Sequence, residues 1–234
     1  MSEIKPKQQP VAIPEQDNAA IIVDRAKGFW EKYSNPIIYG GLAIIILAAG
    51  WFAYKKFVAE PKETKAADAI WKAQQYFEKD SIRLALNGDG RNAGFEKVAK
   101  NFDGTKTGNL AKYYAGLCYL KLNDPNKAIT YLKDFSTDSK PLQAMAYARL
   151  GDAYGDLNKN AESVENYEKA GHHFPDDEAN SAESLFRAGL RSEIAGKNDD
   201  AIKYYKEVKE KYSRTERGSK VDAYLARLGN LDKD

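Results

Sequence analysis

The chain has 234 residues, with 36 basic and 34 acidic side chains and a net charge of +2. So even a balance carries no electrostatic footprint for nucleic acid, and a single cysteine excludes an internal disulfide framework. With 15 tyrosines and 8 prolines, the composition suits a helical protein packed through aromatic rings.

Residues 1–17 carry Pro6, Pro10 and Pro14 among polar residues and read as a disordered tail. Over 18–33, Ile22, Ala26, Phe29 and Tyr33 share one face at helical spacing, while Asp24, Lys27 and Glu31 fall elsewhere. This is either an amphipathic helix lying in the lipid interface or an extension of the helix that follows.

Between Lys32 and Lys55 there is no charged residue. As a helix, 34–54 would measure roughly 31 Å, matching a hydrocarbon core of about 30 Å. Trp30, Tyr33, Trp51 and Tyr54 border the run as interfacial aromatics, and Lys55 and Lys56 close it. Asn35-Pro36 reads as an N-cap followed by proline at the first helical position. The expectation is one uncleaved transmembrane helix over 34–56. A cleaved signal peptide would use the small residues Ala48, Ala49 and Gly50, but its leading region would be long and carry acids. A buried core helix would be shorter and less uniform. Basic residues near the run are Arg25, Lys27 and Lys32 on one side and Lys55, Lys56, Lys62 and Lys65 on the other. The count leans towards a cytoplasmic C-terminus, but long domains translocate largely regardless of charge. Within the run, Gly40, Ala43, Leu47 and Gly50 recur at steps of three, four and three. They form a small-residue seam for membrane helix packing, unless glycine and alanine are there only because membrane helices favour them.

A linker is expected over 57–65, and from 66 to 230 the chain repeats itself. GFEKVAKNF at Gly94, AITYLKDF at Ala128, SVENYEKAGHHFP at Ser163 and AIKYYKEVKEKY at Ala201 are alike. Ahead of the last three stand YYAGLCYLKLND at Tyr113, YARLGDAYGDLNK at Tyr147 and LFRAGLRSEIAGK at Leu185. Gly116, Gly151 and Gly189 align, as do Ala128, Ser163 and Ala201. Each unit is a helix, a short turn and a second helix. A final helix over 215–228, with Val221, Tyr224, Leu225 and Leu228 on one stripe, is expected to cap the stack.

These residues resemble the tetratricopeptide repeat (TPR) family. Ala115-Gly116 with Tyr119, then Ala128 and Leu132, fit its pattern. So do Leu150-Gly151 with Tyr154, then Ser163, Tyr167, Ala170 and Pro175. In the last unit Ser192 replaces the tyrosine, the opening tryptophan is missing throughout, and the first unit matches only at Phe95, Val98 and Phe102. The resemblance implies an all-α fold: an N-terminal transmembrane helix, then a TPR-like α-solenoid of about four helix pairs and a cap. It does not fix function.

Sites for chemistry are weak. His172 and His173 diverge by about 100° on a helix and lack further ligands. Cys118 reads as a small core residue. The run Leu86-Asn87-Gly88-Asp89-Gly90 lacks both calcium-loop and phosphate-loop spacing and reads as a connector. No catalytic residue, cofactor or metal site is expected.

The family lines its groove with the first helix of each pair. In that register the groove holds Tyr113, Leu117 and Leu120, then Met145, Ala148 and Asp152, then Phe186 and Leu190, and would bind protein or peptide segments. Some of these residues belong to the core in the alternative reading. Family members that clamp a C-terminal carboxylate place lysine and asparagine where Tyr113, Leu117, Ala148 and Asp152 stand, so that binding mode is not expected.

A short tail, one span and a TPR domain also resemble the ancillary subunits of the bacterial SecYEG translocon. The features shared are Gly50-Trp51-Phe52-Ala53-Tyr54 and Ala66-Ala67-Asp68-Ala69, with the long loop Leu86-Asn87-Gly88-Asp89-Gly90 and the turn Phe102-Asp103-Gly104-Thr105-Lys106 matching a Bacteroidetes-type version. That resemblance implies an inner-membrane protein with a cytoplasmic N-terminus and a periplasmic C-terminal domain. Its implied partners are SecYEG and a membrane-anchored periplasmic chaperone. A cell-envelope assembly scaffold and a membrane-anchored docking adaptor stand as alternatives.

Overall fold

A computed structural model describes residues 15–230, with side chains from residue 19 onward. Two compact units divide at Val58 and Ala59. Most of the tail expected over 1–17 lies outside the described residues, but 15–17 are already helical.

The first unit is built on α1, Glu15–Tyr54. No helix boundary separates 18–33 from the apolar run, because α1 runs through Pro36 without a break. Asn35 therefore caps nothing. Proline inside a helix removes one backbone hydrogen bond. The helix contains a window long and apolar enough to cross a membrane, and none of that window is buried in the protein. Leu47 and Ile44 are 73% and 69% exposed. An apolar surface this continuous requires a cover in water.

Residues 57–65, expected as a linker, are helical as well. A π-helical turn, Lys55–Ala59, leads into α2, Glu60–Glu78. Pro61 stands in the first turn of α2. Its ring has no N–H to offer the carbonyl four residues back, and the wider π turn absorbs that mismatch.

The second unit is an all-helical stack. It comprises α2, α3 (Ile82–Asn87), α4 (Phe95–Asn101), α5 (Lys106–Lys121), α6 (Pro125–Lys133) and α7 (Lys140–Asp156). It continues with α8 (Asn160–His173), α9 (Glu178–Ile194), α10 (Asn198–Lys211), α11 (Glu216–Lys220) and α12 (Asp222–Arg227). Among the described residues the only β pairing is an isolated bridge between Gly88 and Ala93.

The repeat follows from a few small residues. A Cβ on Gly116 would lie 2.6 Å from Leu132, and one on Gly151 would lie 2.7 Å from the Tyr167 ring. On Gly189 it would strike Tyr205. Glycine lets the second helix of each pair press a large side chain against the backbone of the first. The turn inside each pair also repeats. Asp80, Asn123, Asn158 and Gly196 all have φ between 55° and 74°. After each, the next N–H bonds back to the carbonyl of Tyr76, Tyr119, Tyr154 or Ser192. This is the left-handed helix ending that asparagine and glycine favour.

By that mark the degenerate first unit is complete. Its first helix is α2, and its second is split into α3 and α4 by the loop carrying Asp89. The capping helix expected over 215–228 is likewise broken, at Val221, into α11 and α12. Thr105 and Thr215 begin α5 and α11 alike: each hydroxyl accepts from the N–H three residues on, at Gly108 and Gly218. The last two helices therefore start as another unit and stop short.

Candidate functional site

The first helices of successive pairs, α7, α9 and α11, present a common face of charged and apolar side chains. On α7, Arg149 and Asp152 sit one turn apart. On α9, Glu183, Arg187, Leu190, Arg191 and Ile194 follow at helical spacing, and α11 contributes Arg217. Asp152 is the hub: its carboxylate accepts from Arg149 at 2.9 Å, from Arg187 at 2.7 Å and from the Tyr167 hydroxyl at 2.6 Å. Glu183 joins Arg187 at 2.6 Å to Arg217. The network thereby ties four helices, α7, α8, α9 and α11, through two carboxylates.

Electrostatics follow this geometry. Burial pushes the Glu183 carboxyl up, but the hydrogen bonds from Arg217 and Arg187 outweigh it and hold the group below its ordinary value of 4.5. Burial, and then the neighbouring Asp152, raise the Tyr167 phenol. The Arg217 guanidinium lies 4.5 Å over the Phe186 ring, a cation–π contact that also shields the ring from solvent.

Two hollows open on this face. One, of about 90 Å³, is lined by Met145, Ala148 and Asp152 together with Tyr167 and Arg187. It is smaller than the roughly 150 Å³ engineered cavity that admits benzene. The other, of about 340 Å³, is an open cleft lined by Phe186, Arg187, Leu190, Arg191, Ile194 and Arg217, among others. Of the groove residues expected from the sequence, Met145, Ala148 and Asp152 line the first hollow and Leu190 the second.

Tyr113 and Phe186 do not present free surface. They are 4% and 1% exposed and belong to the core. Tyr113 packs on Phe135 at 5.3 Å, and Phe186 on Tyr224 at 4.7 Å. The aromatic rings turn inward because neighbouring pairs leave gaps that only large side chains fill. Leu117 and Leu120 are half-buried against the core beside Tyr113 and line neither hollow. The arginines and Glu183 went unnoticed in the sequence. The signal available was the spacing of Glu183, Arg187 and Arg191, one helical turn apart on one face.

Among the described residues no group of three or more metal-ligating side chains forms. His172 meets the Glu207 carboxylate at 2.9 Å, and His173 packs edge-on against Tyr147 at 5.5 Å. Burial pushes the Cys118 thiol up to about 12, so it stays protonated. In the connector, Asp89 accepts from the N–H groups of Arg91 and Asn92 at 2.9 and 2.6 Å and from the Tyr76 hydroxyl at 2.7 Å. It holds its own turn. In the first unit, Gly40, Ala43, Leu47 and Gly50 are all exposed, and a Cβ on Gly40 or Gly50 would meet nothing within 4 Å.

Such a stack of helix pairs defines a class of repeat scaffold whose business is binding protein. Residues 27–229 match the tetratricopeptide repeat-like domain family, and the chain belongs to it. No curated protein matches the chain. Among solved structures, two crystal structures of MamA are similar in fold. One has a TM-score of 0.54 at 23% identity, covering 76% of this chain and 92% of that one. The other has a TM-score of 0.51 at 20% identity, covering 68% and 86%. The TPR-like repeats of a putative kinesin light chain from Podosopora anserina align with a TM-score of 0.54 at 14% identity, covering 71% and 85%. At these identities the likeness is one of fold alone.

Proposed function

We propose that the protein is a membrane-anchored, non-enzymatic TPR adaptor of the inner membrane. In this reading α1 holds it beside the SecYEG translocon, and the solenoid faces the periplasm to bind a membrane-anchored chaperone or emerging secretory chains. The observation that carries the anchoring is the fully exposed apolar window of α1. The family match begins at residue 27, ahead of that window, so the apolar run lies within the region the family shares. The binding half rests on the TPR-like fold and its open cleft. The translocon rests on the likeness in architecture and on Gly50-Trp51-Phe52-Ala53-Tyr54 at the end of the span.

Alkaline carbonate extraction should leave the full chain in the membrane pellet, and a reporter fused after Asp234 should register periplasmic exposure. Gly40→Leu with Gly50→Leu should block close helix approach and reduce co-purification of SecYEG. Release by carbonate overturns the anchor. A cytoplasmic reporter turns the protein into a docking adaptor on the other face. Undiminished co-purification in the double variant removes the seam from the interaction.

A further inference from the structure

The open cleft beside α9 has an unequal charge. Arg187, Arg191 and Arg217 line it against one carboxylate, Glu183. Arg187 and Arg217 are already bound to Glu183, and Arg187 also to Asp152. Elsewhere on this end of the stack Arg149 pairs with Asp152 and Arg227 with Glu193. Arg191 differs: among the described residues no carboxylate meets it. Arg191 is half-buried, and its guanidinium packs against Gly155 of the preceding pair, where any Cβ would collide with it. A partly desolvated cation without a counter-ion is costly, and its seat over Gly155 holds the donor fork in place. Next to it the cleft is apolar. Leu190 lies one residue before, and Ile194, one turn on, is 64% exposed.

We propose that this cleft docks a partner segment that carries a carboxylate beside a large aliphatic side chain. The carboxylate takes the free guanidinium fork of Arg191, and the aliphatic group covers Leu190 and Ile194. This deepens the adaptor reading and rests on it, since it names the chemistry of the segment the solenoid binds. Arg187 and Arg217 are held off by Glu183, so the cleft reads one acidic group rather than a polyanion. A bidentate arginine–carboxylate pair supplies orientation as well as attraction.

The test uses the full chain in detergent micelles and two short fluorescent peptides, one of leucine and glutamate and the other of leucine and lysine. Fluorescence anisotropy should show binding of the glutamate peptide only, weakening as salt rises. Arg191→Gln should lower that affinity at least about tenfold. Gly155→Ala should weaken it too, by unseating the guanidinium, while circular dichroism shows the helix content of the parent. Ile194→Ser should reduce binding of the glutamate peptide without admitting the lysine peptide. Equal binding of both peptides, binding of neither, or an unchanged affinity in both Arg191→Gln and Gly155→Ala overturns the proposal. Selective peptide binding in a chain that fails to co-purify with SecYEG counts against the translocon and supports the cleft. Co-purification without selective peptide binding overturns the cleft and leaves the adaptor standing.

Discussion

At Gly151 a hydrogen stands where the Tyr167 ring presses against the α7 backbone, and the Ser163 hydroxyl donates to the Gly151 carbonyl at 2.7 Å. A leucine there has no room. Gly151→Leu should cost on the order of 1–3 kcal/mol by overpacking, read as a lower melting temperature in circular dichroism. Ser192 makes the opposite case. It is 1% exposed, and its hydroxyl has no partner among the described residues. Ser192→Ala should stabilise by about 1 kcal/mol, raising Tm by roughly 2–4 °C for a domain of this size. The glycine was legible from sequence because it recurs in register. The orphaned hydroxyl was not, since only packing shows that nothing reaches it.

At the scale of elements, the helix pairs owe their turns to single residues in the left-handed region and their mutual orientation to carboxylate bridges. Glu183 on α9 accepts from Arg217 on α11, and Glu63 on α2 accepts from the N–H of Thr107 on α5 at 2.8 Å. In both, burial raises the carboxyl and the hydrogen bonds outweigh it, leaving a folded-state value below the ordinary 4.5. A depressed carboxyl stabilises the fold above its unfolded value, and that contribution disappears as pH falls through the folded value. Melting temperature should therefore drop progressively below about pH 4.5. Glu183→Gln should melt lower than the parent at neutral pH yet lose less on acidification. An equal acid loss in the variant would show that Glu183 is not part of the linkage. The bridges were beyond the sequence because Glu63 and Thr107 come from different units of the repeat, with no local pattern to join them. Helix existence was readable from periodicity; the break at Val221 was not, because the stripe through Leu225 and Leu228 continues across it.

For the whole molecule, the two units pose different problems to solvent. The solenoid buries rings such as Phe95, Phe186 and Tyr205, whereas the apolar window of α1 buries none of its length. The two should be separable by mutation. Gly40→Leu with Gly50→Leu should leave the melting curve of the solenoid unchanged, because a Cβ at either glycine would meet nothing within 4 Å. Gly151→Leu should lower that melting temperature while the chain stays in the carbonate pellet. A melting shift in the first variant, or carbonate release in the second, would show that the apolar helix and the solenoid depend on each other.

Local chemistry determined much of this protein. The long uncharged run, the repeat of small residues at helix crossings and the aspartate, asparagine or glycine at each turn are all properties of neighbours in the chain. Tertiary structure decided the rest: that Tyr113 and Phe186 turn inward, that Asp152 and Glu183 satisfy three arginines, and that Arg191 is left without a carboxylate. Those outcomes depend on which side chains from distant turns arrive at the same point. Helical spacing gives each residue a face on its own helix, but not the neighbour that meets it there.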